Sequence, residues 1–341
     1  MVMSLYIASS DVPRITVFGV GGVGGTLSSM LLKKYGENVT LIARGERKDH
    51  LLKNGLTMHG EFFGDFTVPA VNVTDDPGTL SLQDIVIICV KNDALETAAD
   101  ALLPVIRKDT IVVPVMNGVT AYQTLLKRLP RGIVLPSVIY TVSMSQPDFS
   151  VVQKGSFTNV FVGALEPSPE YPQGSNADSG VTMDAGEAEY QETAAAYFSE
   201  ILKAAGIDCR LSDHILVNVW SKYVLNCAYN VITARWGCTI GDIKSDPRRR
   251  DDCYHLMLEA YNTGCALGIP LPDNLIEKHM KRLDNTTDDS TRSLSRDCAE
   301  GKAGEMEIFC GDVVRMAEKT GIDVPFTKEY YNALRETASH F

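Results

Sequence analysis

The sequence predicts an α/β chain: an N-terminal parallel sheet with crossover helices, followed by an all-α C-terminal domain. Three observations carry this. Short β-rich runs alternate with helical segments through the first half, the pattern of a parallel sheet with crossover helices. Strand signals vanish after about residue 212, where helical periodicity takes over. A glycine-rich turn joins the first strand to the first helix.

Arg14–Gly19 (RITVFG) reads as a buried strand, Thr26–Tyr35 as a helix and Val39–Ala43 as the second strand. Asp84–Val90 is a continuous apolar run, as expected of a strand covered on both faces. Thr110–Val115 and Ile133–Val138 repeat the theme, with helices near 93–106 and 119–128. Residues 166–190 are acidic and contain Pro, Gly and Ser. They bury too little apolar surface to order themselves and read as a flexible insertion. A helix over 191–205 and a last β-like piece, Ile207–Leu211, close the first half. The expected domains are a tail over 1–12, a dinucleotide-binding domain over 13–211 and an all-α substrate and catalytic domain over 212–341.

The chain has 341 residues, 45% of them hydrophobic, and a net charge of −11 without a dense Lys/Arg stripe. That argues against nucleic acid and anionic membranes as partners. No stretch approaches the roughly 18 apolar residues of a membrane span. The first twelve residues lack the basic start and apolar length of a signal peptide, so a cytoplasmic location is expected. Eight cysteines are scattered without a C-x-x-C pair, and no two of the six histidines have ligand spacing. The cysteines read as core residues of a reducing compartment, and no metal is expected.

Gly19-Val20-Gly21-Gly22-Val23-Gly24 fits G-x-G-x-x-G and lies where that pattern acquires meaning, directly after a strand and opening a helix. The first glycine permits a tight turn, the second admits a pyrophosphate and the third lets helix and strand approach. A helix N-terminus favours the negative charge. This makes the N-terminal domain Rossmann-type. Twenty residues on, the second strand ends in Arg44, where an NAD-selective site usually places a carboxylate. A guanidinium there suits a 2′-phosphate, which favours NADP. Arg47 and Lys48 stand ready to assist.

His214–Ala234 is a mostly apolar helix on which Lys222, Asn226 and Asn230 fall at i, i+4 and i+8. They share one side. Asn is a poor helix-interior residue and a buried ammonium is costly, so the stripe points to a polar ligand. Partial burial would lower the pKa of Lys222 and suit it to donate a proton.

With these features the chain resembles the ketopantoate reductase (2-dehydropantoate 2-reductase) family from about residue 14 onward. The motifs run in order: the glycine loop, Cys89-Val90-Lys91, Met116-Asn117-Gly118, Trp220-Ser221-Lys222 with Asn226 and Asn230, and Ser293…Asp297…Glu305 ending at Gly311. The resemblance implies NADPH-dependent reduction of a small 2-keto acid, foremost 2-dehydropantoate to pantoate in pantothenate and coenzyme A biosynthesis. It implies Lys222 as general acid, and Asn117 and Lys91 as holders of the nicotinamide ribose. It implies Asn117, Lys222, Asn226, Asn230 and Ser293 around the substrate, and Glu305 beside the reacting centre and cofactor. Gly301 and Gly304 would let Ser293 and Glu305 converge from separate helices. A homodimer is compatible with this reading.

Two departures bear on the substrate. The family's Ser-Met-x-Gln-Asp pattern reads Ser293-Leu294-Ser295-Arg296-Asp297, and the Asn-Pro pair of several members reads Asn230-Val231. Arg for Gln adds charge and bulk near the carboxylate-binding serine, which opens the site to a different or larger acid. Two other functions stay open. One is a related NAD(P)-dependent D-2-hydroxy acid dehydrogenase; the other is a non-catalytic NADPH-binding sensor, which has no need of a proton donor.

Overall fold

The computed structural model describes residues 12–165, 185–299 and 304–338. The elements in chain order are β1 (Ile15–Phe18), α1 (Gly22–Tyr35), β2 (Val39–Ile42), α2 (Gly45–Asn54), β3 (Leu56–Gly60), β4 (Phe66–Val68), β5 (Asn72–Thr74), β6 (Ile85–Ile88), α3 (Leu95–Leu102), β7 (Ile111–Pro114), α4 (Ala121–Arg128), β8 (Ile133–Val134), β9 (Ser137–Ser145), β10 (Val151–Val162), α5 (Ala185–Ala204) and β11 (Asp208–Leu211). Helices α6 (Ile215–Trp236), α7 (Ile240–Ser245), α8 (Pro247–Ala266), α9 (Leu275–Asn285), α10 (Ser293–Ala299), α11 (Asp312–Thr320) and α12 (Pro325–Ala338) follow. The chain divides into two compact units, Met1–Met116 with Thr120–Ile215, and Asn117–Val119 with Leu216–Phe341.

The first unit is built on a six-stranded sheet in the order β5-β2-β1-β6-β7-β8, every pair of it parallel. Its central strands are buried at every position, which explains their unbroken apolar runs. Each fully buried side chain such as Ile15, Leu41 or Ile87 contributes roughly 1.5–3 kcal/mol relative to exposure. A second sheet, β11-β10-β3-β4 with β9 antiparallel to β10, is absent from the sequence reading. Helix α1 packs against β1 and β2 on one side and β9 and β10 on the other.

Three boundaries differ from expectation. The apolar run Ile133–Val138 divides: β8 ends at Val134, and Ser137 opens β9 in the second sheet. Ile207–Leu211 supplies β11, paired with β10 rather than with the large sheet. Helix α5 starts at Ala185, so the last six residues of the expected insertion are helical. Tyr190 explains the early start, since its ring is buried and its hydroxyl donates to Asp109 at 2.7 Å. Residues 166–184, the tail up to residue 11 and Gly301 lie outside the described residues.

The second unit is helical apart from its loops, and α6 runs through its core with Tyr223, Val224, Ala228 and Tyr229 buried. Among the described residues, no helix is long and apolar enough to cross a membrane. All eight cysteines are unpaired, and five are buried.

Candidate active site

The glycine loop sits at the carboxyl end of β1, where open α/β sheets bind ligands. Gly19 has φ +96, and a Cβ there would meet the Cys89 carbonyl oxygen at 2.8 Å. A Cβ on Gly24 would fall 1.9 Å from the Gly19 oxygen, so helix and loop touch backbone to backbone. A Cβ on Gly21 would meet nothing within 4 Å, leaving that face of the loop open. No side chain caps α1 and no carboxylate occupies its first turn. The N–H groups of Gly22, Val23 and Gly24 have no partner within the helix, which suits an anion. The loop therefore fits a dinucleotide pyrophosphate.

At the end of β2, Arg44 is exposed in an extended conformation ahead of α2. It engages no described residue by hydrogen bond or ion pair. Its two neighbours are committed. Lys48 pairs with Asp75 at 2.7 Å, and Arg47 donates to the Val20 carbonyl and, at 2.8 Å, to Ser145 Oγ. Arg47 thus braces the glycine loop, whereas Arg44 makes no such commitment. Lys91 is exposed just beyond β6.

Three of the expected residues meet in the helical unit. Lys222 Nζ donates to Asn117 Oδ1 at 3.0 Å, and Asn117 Nδ2 donates to Glu305 Oε2 at 2.8 Å. Asn117 follows β7 in a short loop whose Gly118 has φ +98 and packs on Ile308. The buried Tyr223 hydroxyl donates to the Ile308 carbonyl at 2.6 Å, fixing α6 to the turn that begins at Glu305. Trp220 anchors the helix against Gly264 of α8. His279 of α9 bonds the Ser221 carbonyl at 2.8 Å, and burial pushes its pKa down to about 4. A ring nitrogen bonded to a carbonyl must carry the proton, so neutral His279 holds the backbone beside Lys222.

Burial lowers the Lys222 pKa from 10.5 to about 8; the charge of Glu305 opposes that shift and Arg282 adds to it. Such an ammonium is mostly charged at neutral pH yet gives up its proton readily. Bonded to the Asn117 amide and within range of the Glu305 charge, it is suited to protonating an oxyanion.

Asn230 and Ser293 form a separate pair. Ser293 Oγ and the Leu294 N–H both donate to Asn230 Oδ1, at 3.1 and 3.3 Å. Asn230 is only 3% exposed, so its oxygen serves as an external cap for α10. Asn226, half-buried one turn from both Lys222 and Asn230, bonds no described side chain. The sequence reading missed His279, Arg282 and Arg292. Each carries a charge or proton into the surroundings of α6, but none lies in a motif.

Residues 15–167 match the family model of ketopantoate reductase PanE/ApbA, and residues 214–338 match its C-terminal counterpart. A 2-dehydropantoate 2-reductase of Mesorhizobium japonicum is 26% identical over 304 residues, which cover 88% of this chain and 90% of that protein. A solved PanE/ApbA family ketopantoate reductase from Ralstonia eutropha JMP134 has a TM-score of 0.80 at 25% identity, covering 96% of this chain and 98% of its own. A D-mandelate dehydrogenase solved with NADH and anilino(oxo)acetate shares the fold, with a TM-score of 0.80 at 17% identity over 96% of this chain and 98% of that one. The two family matches take in both units and every motif from the glycine loop to Glu305, and the chain belongs to the ketopantoate reductase PanE/ApbA family of oxidoreductases.

Proposed function

We propose that this chain reduces a small 2-keto acid to the 2-hydroxy acid with NADPH, and that 2-dehydropantoate, reduced to pantoate for pantothenate synthesis, is the first substrate to test. The observation that carries the reading is the Lys222–Asn117–Glu305 chain of hydrogen bonds. A partly desolvated ammonium held by a neutral amide is what a carbonyl reduction asks of a protein. When bound, the dinucleotide supplies the hydride.

The protein's part is the proton. Hydride addition at C2 converts the C=O double bond to a C–O single bond and leaves an alkoxide. Lys222 Nζ gives that oxygen its proton and becomes an amine, which is recharged from solvent before the next turnover. Asn117 keeps the ammonium on one line, and Glu305 favours its charged form. Gly19 to Gly24 hold the pyrophosphate, and Arg44 meets a 2′-phosphate. Asn226 offers its amide to the substrate's oxygens, and Ser293, whose proton goes to Asn230, offers its oxygen to a substrate hydroxyl.

The test follows NADPH absorbance with 2-dehydropantoate, with NADH in parallel, and then with a panel of other 2-keto acids including benzoylformate. Consumption of NADPH with 2-dehydropantoate, well above the NADH rate, is the expected result. Turnover of benzoylformate alone would make the chain a D-2-hydroxy acid dehydrogenase. Cofactor binding without turnover of any acid would make it a sensor.

A further inference from the structure

We propose that Arg282, Arg292 and Arg296 form a recognition site for a second acidic group, so that the 2-keto acid this chain handles best is a dianion. The inference deepens the reductase reading and rests on it for the position of the keto group.

Arg292 lies just ahead of α10, with its guanidinium over the Tyr229 ring at 5.1 Å from the centroid. Its Nε is enclosed and has no hydrogen-bond partner among the described residues. The side chain as a whole is half-buried, and a cationic nitrogen taken out of water without a counter-charge is costly, so an anion that reaches it is favoured. No carboxylate of the described residues acts on it. Asp284, whose charge reaches Tyr229, is committed to Arg250 by bonds of 2.7 and 3.1 Å.

The neighbouring charges sharpen the point. Burial lowers the pKa of Arg292, and the charges of Arg282 and Arg296 lower it further. Among the described residues, the Arg296 side chain makes long contacts, of 3.4 Å, to the carbonyl and hydroxyl of Thr291. Arg282 also acts on Lys222, so it lies within electrostatic range of the proton donor and of Arg292. Tyr229 stands seven residues beyond Lys222 on α6, about 10 Å along the axis. The cations therefore extend from the reducing end of the site to a point two helical turns away. One carboxylate beside the keto carbon meets the near end. The far end is built for another.

Two acids isolate that group. 2-Oxosuberate and 2-oxooctanoate have the same eight-carbon chain, long enough to reach from the keto carbon to the far arginines, and differ only in the distal carboxylate. Their kcat/KM values with NADPH, and their affinities for the NADP-bound protein by calorimetry, are compared in the wild type, Arg296→Gln and Arg292→Met. The expected result is at least a tenfold preference for 2-oxosuberate that falls to near unity in both variants; Arg296→Gln keeps the test decisive if Arg292→Met folds poorly. Equal handling of the two acids, or a preference that survives both substitutions, overturns the inference. If neither acid is reduced but 2-oxosuberate binds in an Arg296-dependent way, the anion site stands and the reductase reading fails.

Discussion

Replacing Lys222 by Met keeps the stem and removes the charge, and its effects on rate and stability should have opposite signs. Without the donor, the alkoxide must take its proton from water, and general acid catalysis is typically worth about 10²–10⁴-fold. kcat should fall by that much while NADPH still binds. Stability should rise. Moving the ammonium from its ordinary 10.5 to about 8 corresponds to about 3 kcal/mol of unfavourable burial while it is charged. Losing the bond to Asn117 returns about 1 kcal/mol of that. The variant should therefore gain on the order of 1–2 kcal/mol at neutral pH, the trade-off expected of a catalytic group held against its preference. The pH dependence fixes the cause. Between about 8 and 10.5 the unfolded chain keeps the Lys222 proton and the folded chain releases it, so wild-type stability climbs with pH over that window. The advantage of the variant should narrow over the same range. Urea titrations at several pH values, alongside steady-state rates, measure both effects. A variant with near-normal kcat, or a stability difference that ignores pH, would refute the reasoning.

Arg44→Ala should weaken NADPH by about 1.5–3 kcal/mol of charge-assisted bonding and leave NADH nearly unchanged, as read by fluorescence titration; equal losses for both cofactors would remove Arg44 from the 2′-phosphate. Asn230→Ala should lower the urea midpoint by the equivalent of about 1–2 kcal/mol, because Ser293 and the Leu294 N–H lose their acceptor. An unchanged midpoint would mean that the cap is dispensable. Glu259→Ala is the control remote from the chemistry. This buried carboxylate accepts from Phe326 N, Thr327 N and Thr327 Oγ at 2.8, 2.7 and 2.6 Å, so its loss should cost about 2–4 kcal/mol in urea unfolding while the folded fraction keeps its kcat.

The large sheet was legible because β1, β2, β6 and β7 are buried on both faces, which leaves unbroken apolar runs in the sequence. The second sheet was not. Strands β9 and β10 carry Thr141, Ser143 and Thr158 in their pairing, linked by hydroxyl bonds of 2.9 and 3.0 Å. Their apolar positions are interrupted and leave no continuous run to mark a strand. Helix α6 shows the same limit at the site. Its period put Lys222, Asn226 and Asn230 on one side, yet period alone does not reveal that Asn230 would be covered by α10. Nor does any local pattern join Asn117, Lys222 and Glu305, which lie more than eighty residues apart in the chain and meet only through tertiary packing. The family resemblance connected them. Arg292 escaped notice because an arginine before a helix is ordinary until its burial and its missing partner are seen.

The most direct test of the central claim, that Lys222 protonates the product of hydride transfer, is the pH profile of kcat/KM for NADPH-dependent reduction of 2-dehydropantoate. A level profile at lower pH that falls tenfold for each pH step above about 8 is expected, because reduction consumes the ammonium form. The same limb should be missing from the residual activity of Lys222→Met. A profile flat through pH 8, or a limb that persists unchanged in the variant, would contradict the account.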